Sequence, residues 1–172
     1  MKTLTASVEL ACSVERFWQI YLDEAFLREL YMTELQYKEF TLLDAGENTR
    51  KVRIIPKINL PGPLEKLMAG GFIYENHGSL DRANNTWTFR MVQPTGPDGK
   101  AKKEMVTTGG KVRVQALGDG RCKRTDEVTV EGKIFGLGGI IEATVEKETR
   151  AAWEKEFALM ARWVAEKAPG LE

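Results

Sequence analysis

Histidine and cysteine are scarce in this chain: His77 is the single histidine, and Cys12 and Cys122 are the only thiols. One histidine and two separated cysteines make no recognisable zinc site, and two cysteines cannot build a disulfide framework. Acidic residues are plentiful but scattered, without EF-hand spacing. No uninterrupted apolar run approaches the ~18 residues of a membrane-spanning helix. The opening MKTLTASVELACSV alternates polar and apolar residues and lacks the apolar stretch of a signal peptide. An excess of one charge is missing too. Lys and Arg total 25 and Asp and Glu total 25, so no global field draws the chain to a phosphate backbone. The densest basic cluster, Lys100–Glu104, flanks a turn and reads as a solvated loop tip. No metal, no cofactor and no nucleic-acid partner is expected, and residues 1–172 are expected to fold as one cytoplasmic domain with free thiols.

Period-2 patterning opens the chain. In Thr3–Leu10, Leu4, Ala6, Val8 and Leu10 share one face, the mark of a half-buried strand. Ser13 caps a helix whose Val14, Phe17, Trp18 and Tyr21 form a stripe, and Asp23 starts a second short helix containing Phe26, Leu27, Leu30 and Tyr31. Strands are then expected at Gln36–Leu43, Thr49–Pro56, Phe72–Leu80, Thr86–Gln93, Glu104–Leu117 and Arg121–Ile134. Hairpin chemistry at Asp44–Asn48, Arg82–Asn85, Gly96–Gly99 and Gly118–Gly120 separates most of them. Hairpin-linked strands make an antiparallel meander. A long helix closes the chain over Ile140–Lys167, with Ile141, Val145, Thr149, Trp153, Phe157, Met160 and Val164 as its apolar stripe.

Some chemistry is only apparent. His77 stands with Glu75, Ser79 and Asp81 on one strand face, but Phe72, Tyr74 and Leu80 take the opposite parity, which makes the His77 face the solvated one. Gly136–Ile141 (GLGGII) has Ile141 where a dinucleotide fingerprint needs its third glycine, and no βαβ unit surrounds it. It reads as a joint between strand and helix.

The order of strand, two short helices, six strands and long helix resembles the helix-grip fold of the START-like superfamily, with its lipid-transfer START domains, birch pollen allergen family and polyketide cyclases. The resemblance spans the chain, from TASVELACSVERFWQIYLDEAF to EATVEKETRAAWEKEFALMARWVAEK. It implies an α+β fold in which a curved seven-stranded antiparallel sheet grips the long helix around a hydrophobic cavity. It also implies that first and last strands are neighbours, which brings Cys12 and Cys122 near one another. The superfamily has no universal catalytic set to carry over.

Strand parity supplies candidate walls. Trp87, Phe89 and Met91 share a face, as do Val106, Thr108, Gly110, Val112, Val114 and Ala116 on the next strand. Thr108 and Gly110 are small where a solid core prefers bulk, so the glycines either bend the strand or leave room for a ligand. On the last strand Val128 and Val130 face inward, which puts Arg124 and Asp126 on the same side. Buried, they pair and orient a ligand's head group; beyond the cavity, they are solvated. Trp153 and Phe157 complete the walls from the helix.

Ile58–Phe72 is too long for a hairpin and carries Leu60, Leu64, Leu67 and Met68. Pro63 suits the first turn of a short helix, Pro63–Met68, and Gly70-Gly71 suits its end. The segment reads as a gate over the cavity, open to transient membrane contact, or as a fixed packed loop. The expected function is binding, and by extension transfer, of a hydrophobic small molecule (lipid, sterol-like or polyketide). The alternatives are a cyclase-type enzyme using Asp126 or Tyr74, and a protein-interaction module with a filled interior.

Overall fold

A computed structural model describes residues 1–67, 72–95, 98–100 and 103–166. Met68, Gly70 and Gly71 of the gate, part of the Gly96–Gly99 turn and of Lys100–Glu104, and Lys167 of the expected helix lie outside the described residues. Among those described, seven strands form: β1 (Lys2–Leu10), β2 (Glu39–Ala45), β3 (Thr49–Ile55), β4 (Tyr74–Asp81), β5 (Thr86–Val92), β6 (Val106–Gly118) and β7 (Arg121–Gly132). They make one sheet in the order β1-β7-β6-β5-β4-β3-β2, antiparallel throughout. Because β1 pairs with β7, Leu10 lies opposite Cys122, and the Cys12 and Cys122 sulfurs approach to 3.9 Å as buried free thiols.

Helices α1 (Val14–Tyr21) and α2 (Glu24–Arg28) follow β1, each started by its cap: the Ser13 hydroxyl accepts from the Arg16 amide, and the Asp23 carboxylate from the Phe26 amide. The chain continues as a π-helical turn, Glu29–Glu34, ended by the Leu35 amide donating to the Leu30 carbonyl. Gln36 then takes a positive φ of 52° and the Tyr37 amide returns to the Tyr31 carbonyl. For that reason β2 begins at Glu39, three residues later than the pattern suggested.

Between β3 and β4 the chain forms α3 (Gly62–Leu67). The last element is α4 (Gly138–Glu166), which lies against β7 and β1. Its approach depends on glycine: a Cβ on Gly132 would come within 2.7 Å of the Gly138 Cα, so only bare backbone lets helix and strand meet there. Lys2 and Glu146 clasp the same end with an ion pair at 2.6 Å.

The paired glycines of β6 leave no room for a ligand, and no register shift falls on them. Register runs unbroken through Gly109↔Thr129 and Gly110↔Val128, and the irregularity falls instead at Ala116/Gly118. A Cβ on Gly110 would come within 2.9 Å of the Phe89 ring. Its space is therefore taken by a neighbouring aromatic.

Candidate functional site

The inner face of the sheet and α4 do not close completely on each other. Between them lies a cavity of about 190 Å³, with Leu60 and Leu64 from the described part of the β3–β4 segment on its lining. Sheet residues Phe89, Met91, Thr108, Val112 and Val128 line it, and Ile141, Thr149 and Trp153 line it from α4. These side chains are mostly apolar, but the inner wall is not.

Arg124 on β7 is 1% exposed, and Asp126 two residues along is 3% exposed. The alternation that turns Val128 inward turns both of them inward as well. Arg124 Nε donates to Asp126 Oδ1 and Nη2 to Oδ2, each at 2.7 Å, a two-pronged pair that uses both carboxylate oxygens. Glu156 of α4 adds a second carboxyl, with Oε1 2.7 Å from Arg124 Nη2. Among the described residues Nη1 has no hydrogen-bond partner. The rings of Phe17, Tyr21 and Phe157 surround the guanidinium instead, with centroids 5.7, 5.3 and 4.9 Å from its carbon. Arg50 of β3 is a second buried cation on the cavity wall: it donates to the Tyr21 carbonyl at 2.8 Å and lies over the Tyr21 and Trp87 rings.

Two arginines thus face two carboxyls in an apolar surround, and the balance is uneven. Asp126 holds two hydrogen bonds; Glu156 contacts Arg124 through one oxygen and keeps 17% of its side chain exposed, in the cavity wall. Burial pushes the Glu156 carboxyl above its ordinary range, the neighbouring Asp126 charge pushes the same way, and Arg124 and Arg50 pull against them. Tyr21, Tyr31, Tyr37 and Tyr74 also line the cavity. Burial raises all four phenols, Tyr37 to about 12 with help from the Glu148 and Glu156 charges. They are neutral donors and acceptors at ordinary pH. No three His, Cys, Asp or Glu side chains among the described residues converge to hold a metal ion.

Of the twelve residues singled out by pattern, Leu60, Leu64, Phe89, Met91, Thr108, Val112, Arg124, Asp126, Val128 and Trp153 line this cavity. Trp87 does not. It is 1% exposed and packs over Gly78, with Tyr21 and Arg50 against its ring on the cavity side. Phe157 also lies off the lining, with Leu4, Val128 and Trp153 and against the Arg124 guanidinium. The cause is helical geometry: an apolar stripe followed in steps of four turns about 40° per step away from a fixed face. By the fourth step from Ile141 the cavity-facing position has passed to Glu156, which pattern alone missed because it sits in the mixed-charge run after Trp153.

The enzyme candidate Asp126 has both oxygens committed to Arg124. His77 is half-buried on the other sheet face and 2.9 Å from Glu75, which also meets Arg53. A membrane contact through residues 58–72 finds no support. Leu60, Leu64 and Leu67 all line the cavity, and of these only Leu67 is about half exposed. Nor is any helix among the described residues long and apolar enough to cross a membrane.

A family match and a set of solved structures agree with this architecture. Residues 5–164 match the family described as "Protein of unknown function (DUF2505)". The chain belongs to that family. A search of curated proteins finds no match. Among solved structures, the ZhuI aromatase/cyclase of a Streptomyces species is 15% identical, with a TM-score of 0.66 and 95% of each chain covered. Norcoclaurine synthase from Thalictrum flavum, in complex with dopamine and hydroxybenzaldehyde, is 13% identical with a TM-score of 0.67, covering 98% of this chain and 89% of that one. A conserved protein from Geobacillus kaustophilus is 17% identical with a TM-score of 0.59, at 95% of each chain. At these identities the likeness carries the fold: the helix-grip, START-like and birch-pollen-allergen-like arrangement.

Proposed function

We propose that this protein binds a hydrophobic small molecule of the lipid, sterol-like or polyketide kind between the sheet and α4. The observation that carries the reading is the cavity of about 190 Å³, apolar over most of its lining, with a buried charged cluster on one wall. A void of that size lined by Leu, Phe, Met and Val stabilises an apolar guest by removing its surface from water, while few polar groups orient it. Leu60, Leu64, Phe89, Met91, Thr108, Val112, Val128 and Trp153 act as walls, and Arg124 with Asp126 fixes the polar end by holding Glu156 in place. Exchange and transfer of the ligand proceed past Leu60 and Leu64, which line the cavity on the side of the β3–β4 segment. A filled-interior interaction module fits a void of this size poorly.

A cyclase-type activity in the same pocket is the second reading. The observation favouring it is one carboxyl, that of Glu156, which lines the cavity and meets Arg124 through only one of its oxygens. Fluorescence of 1-aminoanthracene tests the binding reading. Saturable enhancement, reversed by a long-chain lipid or sterol and abolished in Thr108→Phe, supports it. Enhancement that survives in Thr108→Phe places the dye elsewhere and counts against it.

A further inference from the structure

We propose that the Glu156 carboxyl selects the cavity's ligand, donating its proton in a hydrogen bond to an uncharged acceptor oxygen, a ketone or aldehyde carbonyl, on a hydrophobic molecule. The inference rests on the cavity-binding reading and narrows it to a chemical class. Three features of the wall lead there.

First, the guanidinium of Arg124 is already matched by charge: Asp126 occupies Nε and Nη2, Glu156 shares Nη2, and three rings surround a residue that is 1% exposed, which leaves Nη1 as the one nitrogen without a hydrogen-bond partner among the described residues. Second, both oxygens of Asp126 already accept from Arg124, so this carboxyl serves the cation and is not a donor to a guest. Third, Glu156 meets Arg124 through one oxygen, keeps 17% of its side chain exposed and lines the cavity along with Trp153 and Phe89. Of the cluster's two carboxyls it is the one with an oxygen that Arg124 does not hold.

Its protonation follows from what surrounds it. From β7 come Arg124 and Asp126, from β3 Arg50, from α1 Tyr21, from the π-helical turn and its exit Tyr31 and Tyr37, from β4 Tyr74, and from α4 itself Glu148. Asp126 already neutralises Arg124 through two short bonds, so a second carboxylate against the same cation gains less than a first. Burial then favours the neutral acid. A neutral acid in an apolar pocket is a donor aimed at whatever acceptor lies over it. A bare hydrocarbon leaves that donor unsatisfied, which costs affinity, whereas a carbonyl satisfies it.

The test uses four naphthalene probes of matched size: 2-acetylnaphthalene, 2-ethylnaphthalene, 2-naphthoate and 2-naphthylmethylamine, titrated against the intact chain by Trp fluorescence from about pH 5 to about pH 9. The ketone is expected to bind about tenfold tighter than the ethyl compound at the acid end. That advantage shrinks as pH rises through the elevated Glu156 range. In Glu156→Gln the amide oxygen stays on Arg124 and the NH₂ faces the cavity, so the ketone advantage persists and loses its pH dependence. In Glu156→Leu, checked for folding by circular dichroism, it disappears. Equal affinity for ketone and ethyl compound in the wild type, a preference for the naphthoate or the amine, or an unchanged pH profile in Glu156→Gln overturns the inference while leaving cavity binding intact. Failure of all four probes to bind removes the cavity reading and this inference with it.

Discussion

Toward the C-terminal end of α4, Leu159, Met160 and Trp163 cluster with Phe17, Ile20 and Phe26 in a filled core, with the Phe26 and Trp163 rings edge-on at 5.5 Å. Two to five turns earlier, the same helix faces the same sheet across open space. The two regions share their elements and differ in what covers the gap. At the filled end, α1, α2 and the π-helical turn lie between strand and helix and bring large aromatics with them. At the hollow end the same layer only borders the space, through Tyr21, Leu27 and Tyr31, while β6 presents Thr108 and a six-residue helix lies in the loop beside it. A helix-grip sheet curves away from its helix, and whether the space becomes core or cavity depends on the inserted layer.

The charged cluster marks the boundary between the two regions, and breaking it gives the largest expected effect. Arg124→Leu leaves Asp126 and Glu156 buried without their cation and should cost about 3–5 kcal/mol in denaturant unfolding. The double variant Arg124→Leu, Asp126→Leu should recover most of that loss; if it does not, the cluster is not an electrostatic unit. Phe26→Ala, at the filled end, should cost a similar ~3–5 kcal/mol through the cavity it creates.

Added bulk sharpens the contrast further. Val114→Phe, among core residues off the cavity lining, should cost about 1–3 kcal/mol through overpacking, while Thr108→Leu, which faces open space, should change stability by less than about 1 kcal/mol. Equal costs at the two positions would erase the distinction between filled and hollow ends.

Proton linkage gives a smaller signature with a defined sign. Glu156 has a folded-state pKa raised above its unfolded one, so its contribution is complete below the unfolded value and is lost as pH rises through the folded value. Unfolding midpoints across that range should fall in the wild type relative to Glu156→Gln. A wild-type curve parallel to the variant's would show that the carboxyl does not titrate differently on folding. Smallest of all, Arg162→Ala removes exposed pairs with Glu29 and Glu34 at 2.7 and 2.9 Å and should barely move the unfolding midpoint, the difference shrinking with added salt.

Much of this was legible before any coordinates. Alternation located the strands, and the position of Val128 and Val130 put Arg124 and Asp126 on the inner face. What alternation cannot supply is where along β7 the protein ends and water begins, and that depended on Phe17, Tyr21 and Phe157 covering the guanidinium from three other segments. Pro63 announced the short helix α3, yet Gln36–Lys38 read as strand because a π-helical turn leaves no composition signal. Glu156 escaped notice altogether. Its partner is on another element, and beside Lys155 it resembles any residue of a solvated helix face.

Native mass spectrometry of the purified protein, with solvent extraction of whatever it retains, tests the central claim most directly. The account predicts a discrete apolar adduct on the wild type, either carried through purification or acquired from a lipid, sterol and polyketide panel, and lost in a folded Thr108→Phe variant. A wild type that stays at its bare mass after the whole panel, or an adduct that the filled variant keeps, would contradict it.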